Sequence, residues 1–78
     1  MNELRLHGIY RHFKGNYYLV TDTARSAEDG REYVIYRALY GDCGLWIREK
    51  EEFLSPVDRE KYPDAQQEYR FQLQEVDE

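Results

Sequence analysis

Three turn signals divide the first 48 residues of this chain into short pieces, and their spacing constrains the fold more than any other feature. Lys14-Gly15-Asn16 parts Gly8–Phe13 from Tyr17–Ala24, and Asp29-Gly30 parts Thr21–Arg25 from Glu32–Tyr40. Gly41-Asp42-Cys43-Gly44 then precedes Leu45–Arg48. Gly-Asn and Asp-Gly supply the positive φ that tight hairpin loops need. The runs between the turns are rich in Tyr, Val and Ile, as half-buried strands are. The connections are too short for helical crossovers, so the four strands form an antiparallel meander.

The texture changes after Arg48. Glu49-Lys50-Glu51-Glu52-Phe53-Leu54 is a charged stretch ending in two apolar anchors and reads as a helical turn. Ser55-Pro56-Val57-Asp58 resembles a second helix start, with Ser as N-cap and Pro at the first position. Pro63 keeps any such helix short. Tyr69-Arg70-Phe71-Gln72-Leu73-Gln74 alternates apolar and polar residues and predicts a fifth strand. Pairing that strand with the first would close the sheet and remove its exposed edges. The expected fold is therefore mainly β: a small five-stranded antiparallel barrel of the SH3-like type, or a strongly bent sheet, with a short helical turn near residues 49–62. Residues 1–78 read as a single domain.

Which face lies inside stays open, because every strand is apolar on both faces. Ile9, Arg11 and Phe13 oppose Tyr10 and His12; Tyr18, Val20 and Ala24 oppose Tyr17, Leu19 and Thr21. Val34, Tyr36, Ala38 and Tyr40 oppose Tyr33, Ile35, Arg37 and Leu39, and Leu45 and Ile47 oppose Trp46 and Arg48. Aromatic residues make up 15% of the chain, more than so small an interior can enclose. The surplus either rims the sheet with hydroxyls in water or lines a binding surface.

Charge sharpens the choice of partners. The net charge is −5 from 11 basic and 16 acidic residues. Residues 1–48 carry seven basic and six acidic side chains, whereas residues 49–78 carry four and ten. A whole-protein attraction to nucleic acid is therefore not expected, despite a local cluster of Arg5, His7, Arg11, His12 and Lys14. No apolar run approaches the roughly 20 residues that span a bilayer, so no membrane partner is expected. The first residues lack a signal-peptide core, and a cytoplasmic location is the expectation. One cysteine, Cys43, excludes an internal disulfide framework and a cysteine-rich zinc site.

Chemistry-bearing constellations are sparse. His7 and His12 are five apart on an extended segment and point to opposite faces, so neither metal nor cofactor is expected. Cys43, Ser26 and Ser55 lack a recognisable nucleophile motif, and no catalytic residue is assigned. An enzyme with His12 as base and Tyr10 or Asn16 orienting it is the least favoured reading. The most specific grouping is Tyr10, His12, Lys14, Asn16, Tyr36, Tyr40, Trp46 and Arg48, an aromatic patch edged by cations. It suggests a non-catalytic binding module for a protein or small-molecule partner. The bland alternative is structural, with Trp46 plugging a barrel and Arg48 paired to Glu52 or Glu28. A homo-oligomerising subunit, monomer or homodimer, is the other candidate.

Gly8-Ile9-Tyr10-Arg11-His12-Phe13-Lys14-Gly15-Asn16, Tyr18-Leu19-Val20, Val34-Ile35-Tyr36, Leu39-Tyr40-Gly41-Asp42 and Leu45-Trp46-Ile47-Arg48 together have a recognisable pattern. Over residues 8 to about 71 the chain resembles bacterial domain-of-unknown-function family 1653, with its G-x-Y-R-H-F-K-G-N-x-Y-x-V and L-W-x-R-P signatures. The resemblance implies a stand-alone bacterial domain and brings no activity, ligand or cofactor. Three positions depart from it. Arg25-Ser26-Ala27-Glu28 lacks the family's usual His, Glu49 replaces the Pro of L-W-x-R-P, and Glu52 replaces a usual Met. The added negative charge suggests that a ligand reached from that turn is cationic or neutral rather than anionic.

Overall fold

A computed structural model describes residues 2–75. The chain forms β1 (Ile9–His12), β2 (Tyr17–Arg25), β3 (Glu32–Ala38), β4 (Leu45–Glu49), the helical turn α1 (Lys50–Phe53) and β5 (Phe71–Gln74). All neighbouring strands are antiparallel, in the order β4-β3-β2-β1-β5. The three turns fall where glycine permits them, with φ of 113° at Gly15, 74° at Gly30 and 59° at Gly41. Side chains complete two of them: Asp29 Oδ1 accepts from Arg31 N, and Asp42 Oδ1 accepts from Gly44 N.

β5 does pair with β1, from Ile9↔Gln74 to His12↔Phe71. That pairing extends the sheet and does not close it into a barrel. β4 and β5 remain the two edges. A strand added beside β1 closes a ring only if its far edge also meets β4, and among the described residues the two do not pair; α1 instead delivers Phe53 onto Tyr36 of β3 and Phe71 of β5. Ser55-Pro56 likewise starts no helix. Arg70 N donates to Ser55 O, Val57 N donates to Glu68 O, and Pro56 bridges Tyr69. The residue that caps a turn is Asp58, whose Oδ1 accepts from the Glu60 and Lys61 amides.

The inner face is set by Tyr10, Val20, Val34, Tyr36, Ala38 and Phe71, all buried. Phe53, delivered by α1, lies over them without exposure. Its ring stacks on Phe71 at 4.1 Å and meets Tyr10 and Tyr36 edge-on at 5.3 Å each. A shift in pairing between Val20 and Asp22 marks a bulge in β2. Beyond it Thr23 sits opposite Val34 and Ala24 opposite Tyr33, so Ala24 lies on the other face from Val20. A strict alternation places the two on one face; the extra residue reverses the phase. In a flat sheet β3 and β5 are about 14 Å apart, yet the Tyr36 and Phe71 rings are 5.4 Å apart. The sheet therefore curves around Phe53.

Behind β1 and β5, Gln67 is the one buried polar side chain among the described residues. Its Nε2 donates to the carbonyls of Arg11 and Tyr69, and its Oε1 accepts from the Arg11 guanidinium. Among the described residues no helix is long and apolar enough to cross a membrane.

An aromatic open end of the concave face

Residues directly opposite each other on antiparallel strands share a face. Trp46 opposes Tyr36 and Arg48 opposes Val34, which puts both on the concave side. Tyr10 opposes Tyr18 on β2 and Leu73 on β5, and His12 opposes Phe71. The end of β1, the start of β2, the end of β3 and the starts of β4 and β5 lie at one end of the sheet. His12, Tyr18 and Tyr40 gather there around Tyr36 and Phe71, with Trp46 at the β4 edge opposite Tyr36.

Edge-to-face packing holds this end. Tyr18 sits 5.3 Å from Tyr36, 5.6 Å from Tyr40 and 5.5 Å from Phe71. Its hydroxyl and that of Tyr40 are 2.9 Å apart and share a hydrogen bond. Burial, reinforced by that bond to Tyr40, pushes the Tyr18 phenol up to about 12. Arg48 crosses the same floor. Its Nε donates to the Tyr36 hydroxyl at 3.2 Å, another guanidinium nitrogen pairs with Glu52, and the guanidinium carbon lies 5.7 Å from the Phe71 ring centre. Burial works against its charge, but Tyr36 and Glu52 more than offset that and raise its pKa.

His12 packs 4.9 Å from Phe71 and 4.5 Å from Phe13. Its Nδ1 accepts from Lys14 N at 3.1 Å, so the neutral ring carries its proton on Nε2. Desolvation lowers its pKa to about 4, helped by the positive charges of Arg70, Arg48 and Lys14. At neutral pH His12 is an uncharged donor. Among the described residues the imidazole's one hydrogen bond comes from a backbone amide, and no carboxylate orients it for general-base chemistry.

The residues singled out from the sequence divide into three groups. Tyr10 and Tyr36 are core. The Tyr10 hydroxyl accepts from Arg5 N and donates to Glu3 O, tying down the N-terminal segment at the far end. His12 and Arg48 both pack on Phe71, Tyr40 joins them through Tyr18, and Trp46 lies apart at the β4 edge opposite Tyr36. Lys14 and Asn16 belong to the turn rimming the open end. The Asn16 carbonyl accepts from His12 N, and Lys14 Nζ lies 5.2 Å from the Tyr62 ring. Trp46 does not plug an interior, being 55% exposed. Three contributors were not in the grouping: Tyr18, Phe71 and Glu52. Tyr18 shares the alternation that marks Tyr10 and His12, whereas Phe71 reaches the site only through the long return to β5.

The fold and this end define a small, curved, mainly β domain whose concave face carries a partly exposed aromatic cluster around one held arginine. The chain belongs to the DUF1653 family of proteins of unknown function, whose family description matches residues 8–73. It is similar to the crystal structure of a DUF1653 protein from Bordetella bronchiseptica, at 32% identity and a TM-score of 0.73. The match covers 90% of this chain and 86% of that one. No curated protein matches the chain.

Proposed function

We propose that the domain is a non-catalytic binding module that takes a segment of a partner protein on the aromatic open end. The carrying observation is that Arg48 is fixed by Tyr36 and Glu52, while Trp46, two residues before it on the same face of β4, and Tyr40, bonded to Tyr18, are 55% and 44% exposed. Rings and a guanidinium held by a rigid floor lose little conformational freedom on binding, which is what binding hot spots require. The hollows of about 340–470 Å³ are lined mainly elsewhere, around residues such as Glu68 and Tyr69 or Lys61 and Tyr62. An open, shallow face suits a polypeptide better than an enclosed small molecule. Arg48 is already matched by Glu52, so the favoured ligand is neutral or mildly cationic. Lys14 and Asn16 supply polar contacts at the rim. A cytoplasmic partner fits the lone exposed thiol of Cys43.

Selection from a random-peptide display library against the full chain tests this. Selected peptides should bind wild type and lose at least about tenfold in affinity with Trp46→Ala or Arg48→Ala. Single-stranded oligonucleotides should not compete at low salt. Peptides that bind both variants as well as wild type, or oligonucleotides that displace them, would overturn the reading.

A further inference from the structure

The two edges of the sheet are treated differently. In the β1–β5 pair Phe13 N donates to Arg70 O. The alternation of antiparallel ladders then turns the backbone groups of Phe71 and Leu73 outward. That edge is covered: Asn2 Nδ2 donates to Phe71 O at 3.2 Å and to Leu54 O at 3.4 Å. In the β3–β4 pair Ala38 N donates to Gly44 O. By the same alternation Trp46 and Arg48 bond inward to β3, while the N–H and C=O groups of Leu45 and Ile47 point away from the sheet. Among the described residues the outward groups of Leu45 and Ile47 have no hydrogen-bond partner. The side chains there are open as well, with Leu45 54%, Trp46 55% and Ile47 66% exposed. The strand has no Pro, Lys or bulge across this stretch, the usual devices that prevent strand addition.

We infer that the β4 edge is a self-association surface at which a second copy of this chain adds its own β4, antiparallel, with Trp46 opposite Trp46 across a twofold axis. The strand's own sequence selects the occupant and the register. Outward-facing residues must meet outward-facing residues, so registers move in steps of two. With Trp46 on the axis, Leu45 of each copy faces Ile47 of the other, and Arg48 faces Gly44. Every exposed apolar side chain of the strand then meets an apolar partner. Just beyond the strand ends, acidic Asp42 comes beside basic Lys50. Moving the axis to Ile47 would set Leu45 against Glu49, a worse match. In the chosen register both concave faces lie on the same side of one ten-stranded sheet, and the second Trp46 joins the open end described above.

Three apolar side chains and one edge cover on the order of 400 Å² per copy, below the size of a standard stable interface. The association is therefore weak, with a Kd on the order of 0.1 mM. Sedimentation velocity of the full chain from roughly 10 µM to 1 mM brackets that value. Trp46 is the sole tryptophan, so its emission should shift to the blue in parallel with dimer formation. Ile47→Lys adds a charge on the convex side and should raise the Kd by at least about tenfold. Ile47→Pro removes an outward N–H without touching a bond to β3, and should do the same. Strictly monomeric behaviour to 1 mM, or self-association unchanged in both variants, overturns the inference. It stands apart from peptide recognition: Ile47→Lys leaves Tyr18, Tyr40, Trp46 and Arg48 in place, so peptide affinity measured well below the dimer Kd, where wild type is also monomeric, reports on that reading alone.

Discussion

Phe53 is the side chain on which the curvature of this sheet depends, and replacing it with Ala is the sharpest test of the fold. It lies at the end of a single helical turn, has no exposure, and touches Tyr10, Tyr36 and Phe71 at centroid distances of 5.3, 5.3 and 4.1 Å. Three of those four rings come from β1, β3 and β5, so truncation opens a cavity bounded by strands from across the sheet. Phe→Ala changes in cores cost about 3–5 kcal/mol. A chain of this length has a total stability of about 4–12 kcal/mol. The variant should lose a large share of its stability, moving the urea midpoint down by about 2–3 M at the slope usual for small domains. Phe53→Leu keeps most of the volume and should cost about 1–2 kcal/mol, which keeps the test readable if the Ala variant is unfolded. Urea unfolding followed by far-UV circular dichroism measures both. A loss below about 1 kcal/mol for Phe53→Ala would refute the reasoning, because packing of that kind cannot be removed so cheaply.

Two further outcomes follow from the site and its backing. Gln67→Leu strips hydrogen bonds from the carbonyls of Arg11 and Tyr69 behind β1, and chemical denaturation should show a loss of about 1–3 kcal/mol. His12, lowered to about 4 in the folded chain, binds its proton more readily when unfolded, so the unfolded state takes up protons first as pH falls. Stability should therefore decline from about pH 6.5 to about pH 4 and flatten below; His12→Gln should reduce that slope, and NMR titration of the ring checks the midpoint.

The sequence made some elements plain and left others to distant contacts. Hairpin positions were legible because Gly15, Gly30 and Gly41 adopt left-handed or related conformations that other residues resist, a purely local requirement. Strand five was legible from its alternation, and its pairing with β1 followed. The misreading at Ser55-Pro56 has a nonlocal cause: the segment satisfies its backbone against residues 68–70 rather than within a helix. Of the grouped residues, Tyr10 and Tyr36 belong to the core. The aromatic end instead recruits Tyr18 and Phe71, which no spacing in the sequence brings beside Arg48.

What the chain's order of residues settles alone is its punctuation and its membership of a family, since both reside in short local patterns. Which face is inside was decided only by tertiary structure. The strands are apolar on both sides, so pattern is silent; a bulge after Val20 changes phase, and Phe53 arrives over one face to bury it. Burial is a property of what packs against a surface, and that partner is supplied from elsewhere in the chain.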